Sequence, residues 1–295
     1  MQQENKKELQ NKSYIVLGAS SKIGRVFYSK FKKKIKFASK NSFRSSRFKK
    51  FDLNEDSIDP LISKYKPTHV IIFSAESDPD KCFKNPKKTK TINLLSTIKI
   101  INKCIKKKIV PIVFSSEFVF NGKKGNYNEK NKTNPILVYG KQKSLLENYI
   151  IRKKLPVLIF RLAKVYGDKR NDDTLITNYI KQIKTTKILK VAYDQYFSPV
   201  YVNDVVNIID KAAQKNLLGL YNLAGNQRLS RFEILKKIIK IFKTRNLIIK
   251  CSIDDFKLPE KRPKDVSMSN SLLKKKLRYN FSNIGFVIKK IKLQK

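Results

Sequence analysis

Along the first 160 residues the chain switches between two hydrophobic periods. Short, near-continuous apolar runs at Tyr14–Leu17, Ile35–Ala38, Val70–Phe73, Ile109–Phe114 and Val157–Phe160 have the length of buried strands. Between them, apolar residues recur every three or four positions. Ile23, Val26, Phe27 and Phe31 form one such stripe, and positions 58, 61, 62 and 65 form another within Ser57–Tyr65. Leu94, Ile98, Ile101 and Ile105 mark a long helix over Pro86–Lys107, and a further helix is expected over Pro135–Lys153. Strands apolar on both faces, alternating with helices, predict a parallel sheet covered on both sides. That is a doubly wound, Rossmann-like α/β fold.

After Arg161 the rhythm loosens. Helices are expected over Leu175–Lys184, over Tyr201–Ala213 with a cap near Asn203 or Asp204, and over Ser230–Phe242, with a strand at Gly219–Leu223. Neither a repeat nor a low-complexity linker separates the halves. Residues 1–165, with 192–223 returning to them, are therefore expected to form a dinucleotide-binding domain. Residues 166–191 and 224–295 would form a smaller C-terminal substrate-binding region over the carboxyl edge of the sheet, where open α/β sheets bind ligands.

Composition narrows the class. The 295 residues are 41% hydrophobic, enough for a sizeable core, and no apolar run has the length of a membrane span. The polar N-terminus has no signal-peptide stretch, and three scattered cysteines make neither a disulfide framework nor a metal cluster, so a soluble, cytoplasmic protein without metal is expected. The 66 basic residues against 23 acidic ones give +43, which suggests nucleic acid. Only 11 of the 66 are Arg, however, and the 55 Lys are spread along the chain in runs of at most three. Specific readers of bases and phosphates favour the planar guanidinium. Weak polyanion binding without sequence preference is expected instead.

Three sites carry candidate chemistry. Gly18-Ala-Ser-Ser-Lys-Ile-Gly24 lies at the first strand-to-helix junction, where free amides and the helix dipole can hold a pyrophosphate; a ligand-free turn is the plainer alternative. Tyr139 and Lys143, four apart on a helix, put a phenol and an ammonium on one face, and the ammonium is expected to lower the phenol's pKa. Taken alone, that spacing is common by chance in a chain this rich in Lys and fits a solvated surface pair better. Ser115-Ser116-Glu117 closes a strand and offers a hydroxyl to a carbonyl, or simply makes a turn. All three sites share one sheet edge. His69 and the cysteines read as structural.

With these residues together, the chain resembles the extended short-chain dehydrogenase/reductase superfamily and, more narrowly, the dTDP-4-dehydrorhamnose reductases. The resemblance runs from about 13 to about 280. It rests on Ser115-Ser-Glu-Phe-Val-Phe-Asn-Gly122, Tyr127-Asn-Glu129, Asn134-Pro135 and Tyr139-Gly-Lys-Gln-Lys143. Asp78-Pro-Asp-Lys81, Asn85-Pro86, Asn93, Asp194-Gln-Tyr-Phe-Ser-Pro199 and Arg262-Pro263 add to it. The resemblance implies Ser116, Tyr139 and Lys143 as the catalytic set. It also implies Gly18, Ser20, Ser21, Ile23 and Gly24 at the pyrophosphate, Asp52 and Leu53 beside the adenine, and Ser74 and Ala75 on the path to the nicotinamide, with Tyr139 and Lys143 also touching the cofactor. Glu117 and Lys164 would contact substrate. The chain departs from the family at Glu76, at Glu117 where Asp is usual, and at Lys164 where Trp is usual. Arg262 would meet the substrate diphosphate or form a structural ion pair.

The loop after the second strand has no acid and offers Lys40 and Arg44, which favours NADPH over NADH. The implied activity is NAD(P)H-dependent reduction of a 4-keto nucleotide sugar in deoxysugar and polysaccharide precursor synthesis. A nucleotide-sugar epimerase or dehydratase, and a non-catalytic NADP-binding regulatory subunit, are the alternatives. A nucleotide sugar is the expected partner, and the sequence is compatible with a homodimer.

Overall fold

The computed structural model describes residues 12–40, 48–169 and 172–294. β1 (Tyr14–Leu17) leads into α1 (Lys22–Phe31), and β2 (Ile35–Lys40) into the short β3 (Lys49–Lys50) and α2 (Asp59–Tyr65). β4 (His69–Ile72) precedes α3 (Pro79–Lys84) and an interrupted helix made of α4 (Pro86–Lys90), a π-helical turn (Thr91–Ser96) and α5 (Thr97–Lys106). β5 (Val110–Ser116), α6 (Val138–Arg152) and β6 (Leu158–Leu162) complete the regular half. Then come β7 (Val165–Tyr166), α7 (Leu175–Thr185), β8 (Ile188–Ala192), β9 (Tyr196–Phe197), β10 (Val200–Tyr201), α8 (Val202–Gln214) and β11 (Gly219–Leu223). β12 (Leu229–Ser230), α9 (Arg231–Phe242), β13 (Leu247–Cys251), α10 (Ser271–Leu277) and α11 (Ile284–Leu293) close the chain.

Seven strands form one sheet in the order β11-β6-β5-β4-β1-β2-β3, with every neighbouring pair parallel. The chain runs outward from β1 to β3, returns to β4 and continues the other way. The topological switch therefore lies between β1 and β4. Successive strand residues point to opposite faces. Tyr14, Val16, Ile71 and Ile112 enter the core beneath α1 and α8, while Ile15, Leu17, Val70, Ile72 and Val113 enter a second core with α2, α5 and α6. A third cluster, with Ile180, Phe197, Leu235 and Ile288, joins α7, α9 and α11. No helix among the described residues is long and apolar enough to cross a membrane.

The differences from the sequence reading are local. The strand expected at Val70–Phe73 starts one residue earlier, at His69, whose ring is buried against Thr68 Oγ1 at 2.9 Å. The helix over Pro86–Lys107 carries a π turn, which apolar spacing does not reveal. α8 starts at Val202 with no side-chain cap. Asp204, the expected cap, is buried and instead accepts from Tyr279 Oη and the Ser282 amide, both at 2.8 Å. The parallel β8–β13 pair was not foreseen, because lysines interrupt its apolar pattern.

Candidate active site

Gly18 adopts φ +81°, and a Cβ there would sit 2.6 Å from the Ser74 amide. Only glycine makes this turn. A Cβ on Gly24 would lie 2.5 Å from the Gly18 carbonyl oxygen, so Gly18 lets the turn approach Ser74 and Gly24 lets α1 pack against the turn. Ser21 caps α1 by accepting from the Gly24 amide at 3.1 Å. The Lys22 and Ile23 amides of that first turn have no acceptor among the described residues. Two free amides at a helix N-terminus fit an anionic group such as a pyrophosphate.

β5 delivers the hydroxyl. Ser116 leaves the strand in extended conformation and caps the 3₁₀ turn Glu117–Val119, accepting from the Phe118 amide at 3.2 Å. α6 packs directly on this turn: a Cβ on Gly140 would lie 2.0 Å from the Phe118 carbonyl oxygen. Tyr139 and Lys143, one helical turn apart, are buried beside Ser116, with Lys143 Nζ 5.8 Å from the centroid of the Tyr139 ring. They are not a surface pair.

The expected lowering of the phenol pKa is not what the structure gives. Burial raises Tyr139 well above its ordinary value, and only the Ser116 hydroxyl pulls against this. Burial also depresses Lys143 to about 8, with Glu147 one turn further along the helix raising it. Desolvation penalises the phenolate and the ammonium alike, and it is the largest cause of both shifts. Tyr139 therefore keeps its proton, which is the form that donates.

A cavity of about 360 Å³ brings much of the candidate set together. Ser21, Lys22 and Ile23 line it from α1, Ala75 from the loop after β4, Ser116 and Glu117 from β5, Tyr139 and Lys143 from α6, and Lys164 from the end of β6. Gly18, Ser20, Gly24, Asp52, Leu53, Ser74 and Arg262 do not line it. Leu53 packs instead into the core with Ile58 and Ile62, and Asp52 accepts from the Asn54 amide at 2.8 Å. Arg262 pairs with Asp80 and borders a separate cavity with Glu260, so it has the structural partner that was one of its two readings. Arg44 lies outside the described residues, as does the side chain of Lys40. A larger cavity, of about 640 Å³, opens at the opposite sheet edge between Lys12, Lys66, His69 and Lys108. Its lining includes no tyrosine, and it stands at the amino ends of the strands, where open α/β sheets do not place their ligands.

Two residues lacked a role in the sequence reading. Asn93, fully buried in the π turn, donates to Gln142 Oε1 at 2.7 Å and to the Glu76 carbonyl at 2.9 Å, and accepts from the Glu76 amide at 2.9 Å. It ties the loop after β4 to the helix bearing Tyr139 and Lys143. The π turn aims the amide, and no periodicity announces it. Arg231 donates to Gln195 and lies 5.7 Å from the Phe197 ring. Its position just after the Ser230 capping box was the available signal.

Known proteins agree on the architecture. Methionine adenosyltransferase 2 subunit beta of Bos taurus is 23% identical over 281 residues, covering 92% of this chain and 84% of that protein. A hypothetical dTDP-4-dehydrorhamnose reductase from Sulfolobus tokodaii superposes with a TM-score of 0.83 at 25% identity, covering 93% of this chain and 98% of that one. The Bacillus anthracis dTDP-4-dehydrorhamnose reductase, solved in complex with NADP, shares the fold at a TM-score of 0.84 and 20% identity, over 96% of this chain and 99% of that one. The two solved structures are dTDP-4-dehydrorhamnose reductases by name, within the short-chain dehydrogenase/reductase superfamily. A family model described as RmlD substrate binding domain matches residues 12–284, and the chain belongs to that family.

Proposed function

We propose that this protein reduces a 4-keto nucleotide sugar with NADPH. The carrying observation is the convergence of Ser116, Tyr139, Lys143 and the first turn of α1 on one cavity. When bound, the nicotinamide supplies the hydride to the carbonyl carbon. The Lys22 and Ile23 amides hold the pyrophosphate, Ser21 and Ala75 line its path, and Lys40 and Arg44 take the 2′-phosphate. Ser116 Oγ donates to the carbonyl oxygen and orients it. Tyr139 passes its phenolic proton to the developing alkoxide. Lys143 holds the ribose and, while charged, favours the phenolate that remains. Residues 166–191 and 224–295 form the sugar-nucleotide side of the site.

The test is nicotinamide oxidation, with NADPH and with NADH, against a panel of 4-keto nucleotide sugars with mass detection of product. Turnover with a hydrogenated product, faster with NADPH, is expected. The bovine relative, a subunit by name, favours a second reading in which the fold binds cofactor without turning over. Tight NADPH binding with no product from any sugar in the panel would establish that reading and reject ours.

A further inference from the structure

The cavity holds one cation more than this chemistry uses. Lys143 serves the proton donor and the ribose, and Lys22 stands at the pyrophosphate turn. Lys164 has neither task. It follows β6 and lines the cavity together with Ser116, Glu117 and Tyr139. Its amide donates to Glu117 Oε2 at 3.2 Å, so that carboxylate is held through the main chain. Its Nζ has no ion-pair partner within 4.0 Å and no hydrogen-bond acceptor among the described residues. Desolvation disfavours its charge most, Arg231, Lys22 and Arg262 add to this, and of the neighbouring groups only Glu117 supports it. A lysine that merely packs its stem turns its head to bulk water. This one lines the reaction cavity, where an ammonium with only Glu117 in its support gains from an arriving anion.

A substrate diphosphate is one candidate anion, but placement disfavours it. Lys164 lines the same cavity as Ser116 and Tyr139, the hydroxyls that take the carbonyl, so the group it meets belongs to the reacting ring. Resting on the reductase reading, we propose that the reacting sugar carries a carboxylate and that Lys164 is its specificity residue. Lys164 takes the carboxylate, and the Arg231 field adds to the attraction.

The experiment measures binding to the full chain loaded with NADP⁺, by calorimetry, using glucose and glucuronate as their UDP and dTDP conjugates. Each pair differs only in the carboxylate, so the diphosphate cancels. A charge-assisted contact predicts glucuronate binding about 10–100-fold tighter. Lys164→Met should remove the preference while leaving NADP⁺ affinity unchanged, and Lys164→Arg should retain most of it. If the methionine variant loses NADP⁺ binding, Lys164→Gln replaces it. Equal affinity for the two sugars overturns the carboxylate proposal and leaves the reductase reading standing. A preference that survives the loss of the Lys164 charge overturns the assignment to Lys164. Failure of every conjugate to bind overturns both.

Discussion

Removing the Glu147 carboxylate should damage both the fold and the chemistry, because one ion pair supports α6. Arg161 on β6 meets Glu147 through Nη2 at 2.7 Å and Nε at 3.0 Å, with the two side chains 3% and 2% exposed. The guanidinium also lies 5.0 Å from the centroid of Phe120. Glu147→Gln leaves Arg161 buried with no opposing charge, which costs about 3–5 kcal/mol. Glu147→Leu combined with Arg161→Met removes both charges and fills similar volume, and such replacements are commonly neutral or stabilising by about 1–4 kcal/mol. Urea unfolding of the wild type, Glu147→Leu, Arg161→Met and the double variant closes a cycle whose coupling should reach several kcal/mol. The function should respond separately. Glu147 raises the pKa of Lys143, so its loss should lower that pKa further, and the alkaline fall in kcat/KM should begin at lower pH even in the stable double variant. A Glu147→Gln cost below about 1 kcal/mol, or single effects that simply add, would refute the account of a tightly desolvated pair.

The other expectations follow from the same helix. Tyr139→Phe should cut turnover by ~10²–10⁴ while NADPH affinity barely changes, and Lys143→Ala should lower both; titration and steady-state rates on each variant decide this. In the cofactor-free enzyme kcat/KM should fall as pH rises through about 8, where Lys143 loses its proton. The same shift has a stability sign. The folded pKa lies below the unfolded 10.5, so between them the unfolded chain binds more protons and stability rises with pH, a dependence that Lys143→Met should abolish in urea titrations at several pH values. Gly140→Ala should cost roughly 1–3 kcal/mol, because its Cβ meets backbone rather than a mobile side chain, and it should lower kcat by moving Tyr139 away from Ser116. Unchanged unfolding and unchanged kcat would show that α6 need not rest on the Glu117–Val119 turn.

The fold was legible because its strands are buried on both faces. Tyr14–Leu17 and Gly219–Leu223 were read with their observed bounds; the first is an uninterrupted apolar run buried at every position, and the second keeps Tyr221, Asn222 and Leu223 buried at the sheet edge. β8 and β13 escaped because they pair with each other outside the main sheet, each half-exposed and studded with lysine. The convergence of Ser116, Tyr139 and Lys143 was readable from strand ends and helix spacing. The electrostatics were not. Spacing showed that an ammonium stands near a phenol, but not that both lie out of water, and desolvation decided the sign for Tyr139. Arg262 illustrates the same limit: its sequence context allowed two partners, and only the chain crossing from α3 supplies Asp80.

The buried charges separate into two sets, and the division bears on whether the cavity does chemistry. Arg161 has Glu147, Asp204 has the Tyr279 hydroxyl and the Ser282 amide, and Lys12 gives its Nζ to Asn216 at 2.7 Å. Folding satisfies these groups, and nothing further is needed to account for them. Lys143 is buried and Lys164 half-buried, neither ammonium has an acceptor among the described residues, and the Ser115 hydroxyl is buried without a partner. All three line the same cavity, at the carboxyl edge of β5 and β6. Fold stability alone would favour methionine or leucine at positions 143 and 164, since an apolar side chain carries no desolvation cost. A binding scaffold would gain from the same replacement at Lys164, where no cofactor role is assigned. Unsatisfied groups gathered in one cavity are the pattern expected where ligands complete the hydrogen bonding and a reaction uses the strain. This favours catalysis over cofactor binding alone, and it locates the decisive difference at Lys164 rather than among the 55 lysines that give the chain its charge.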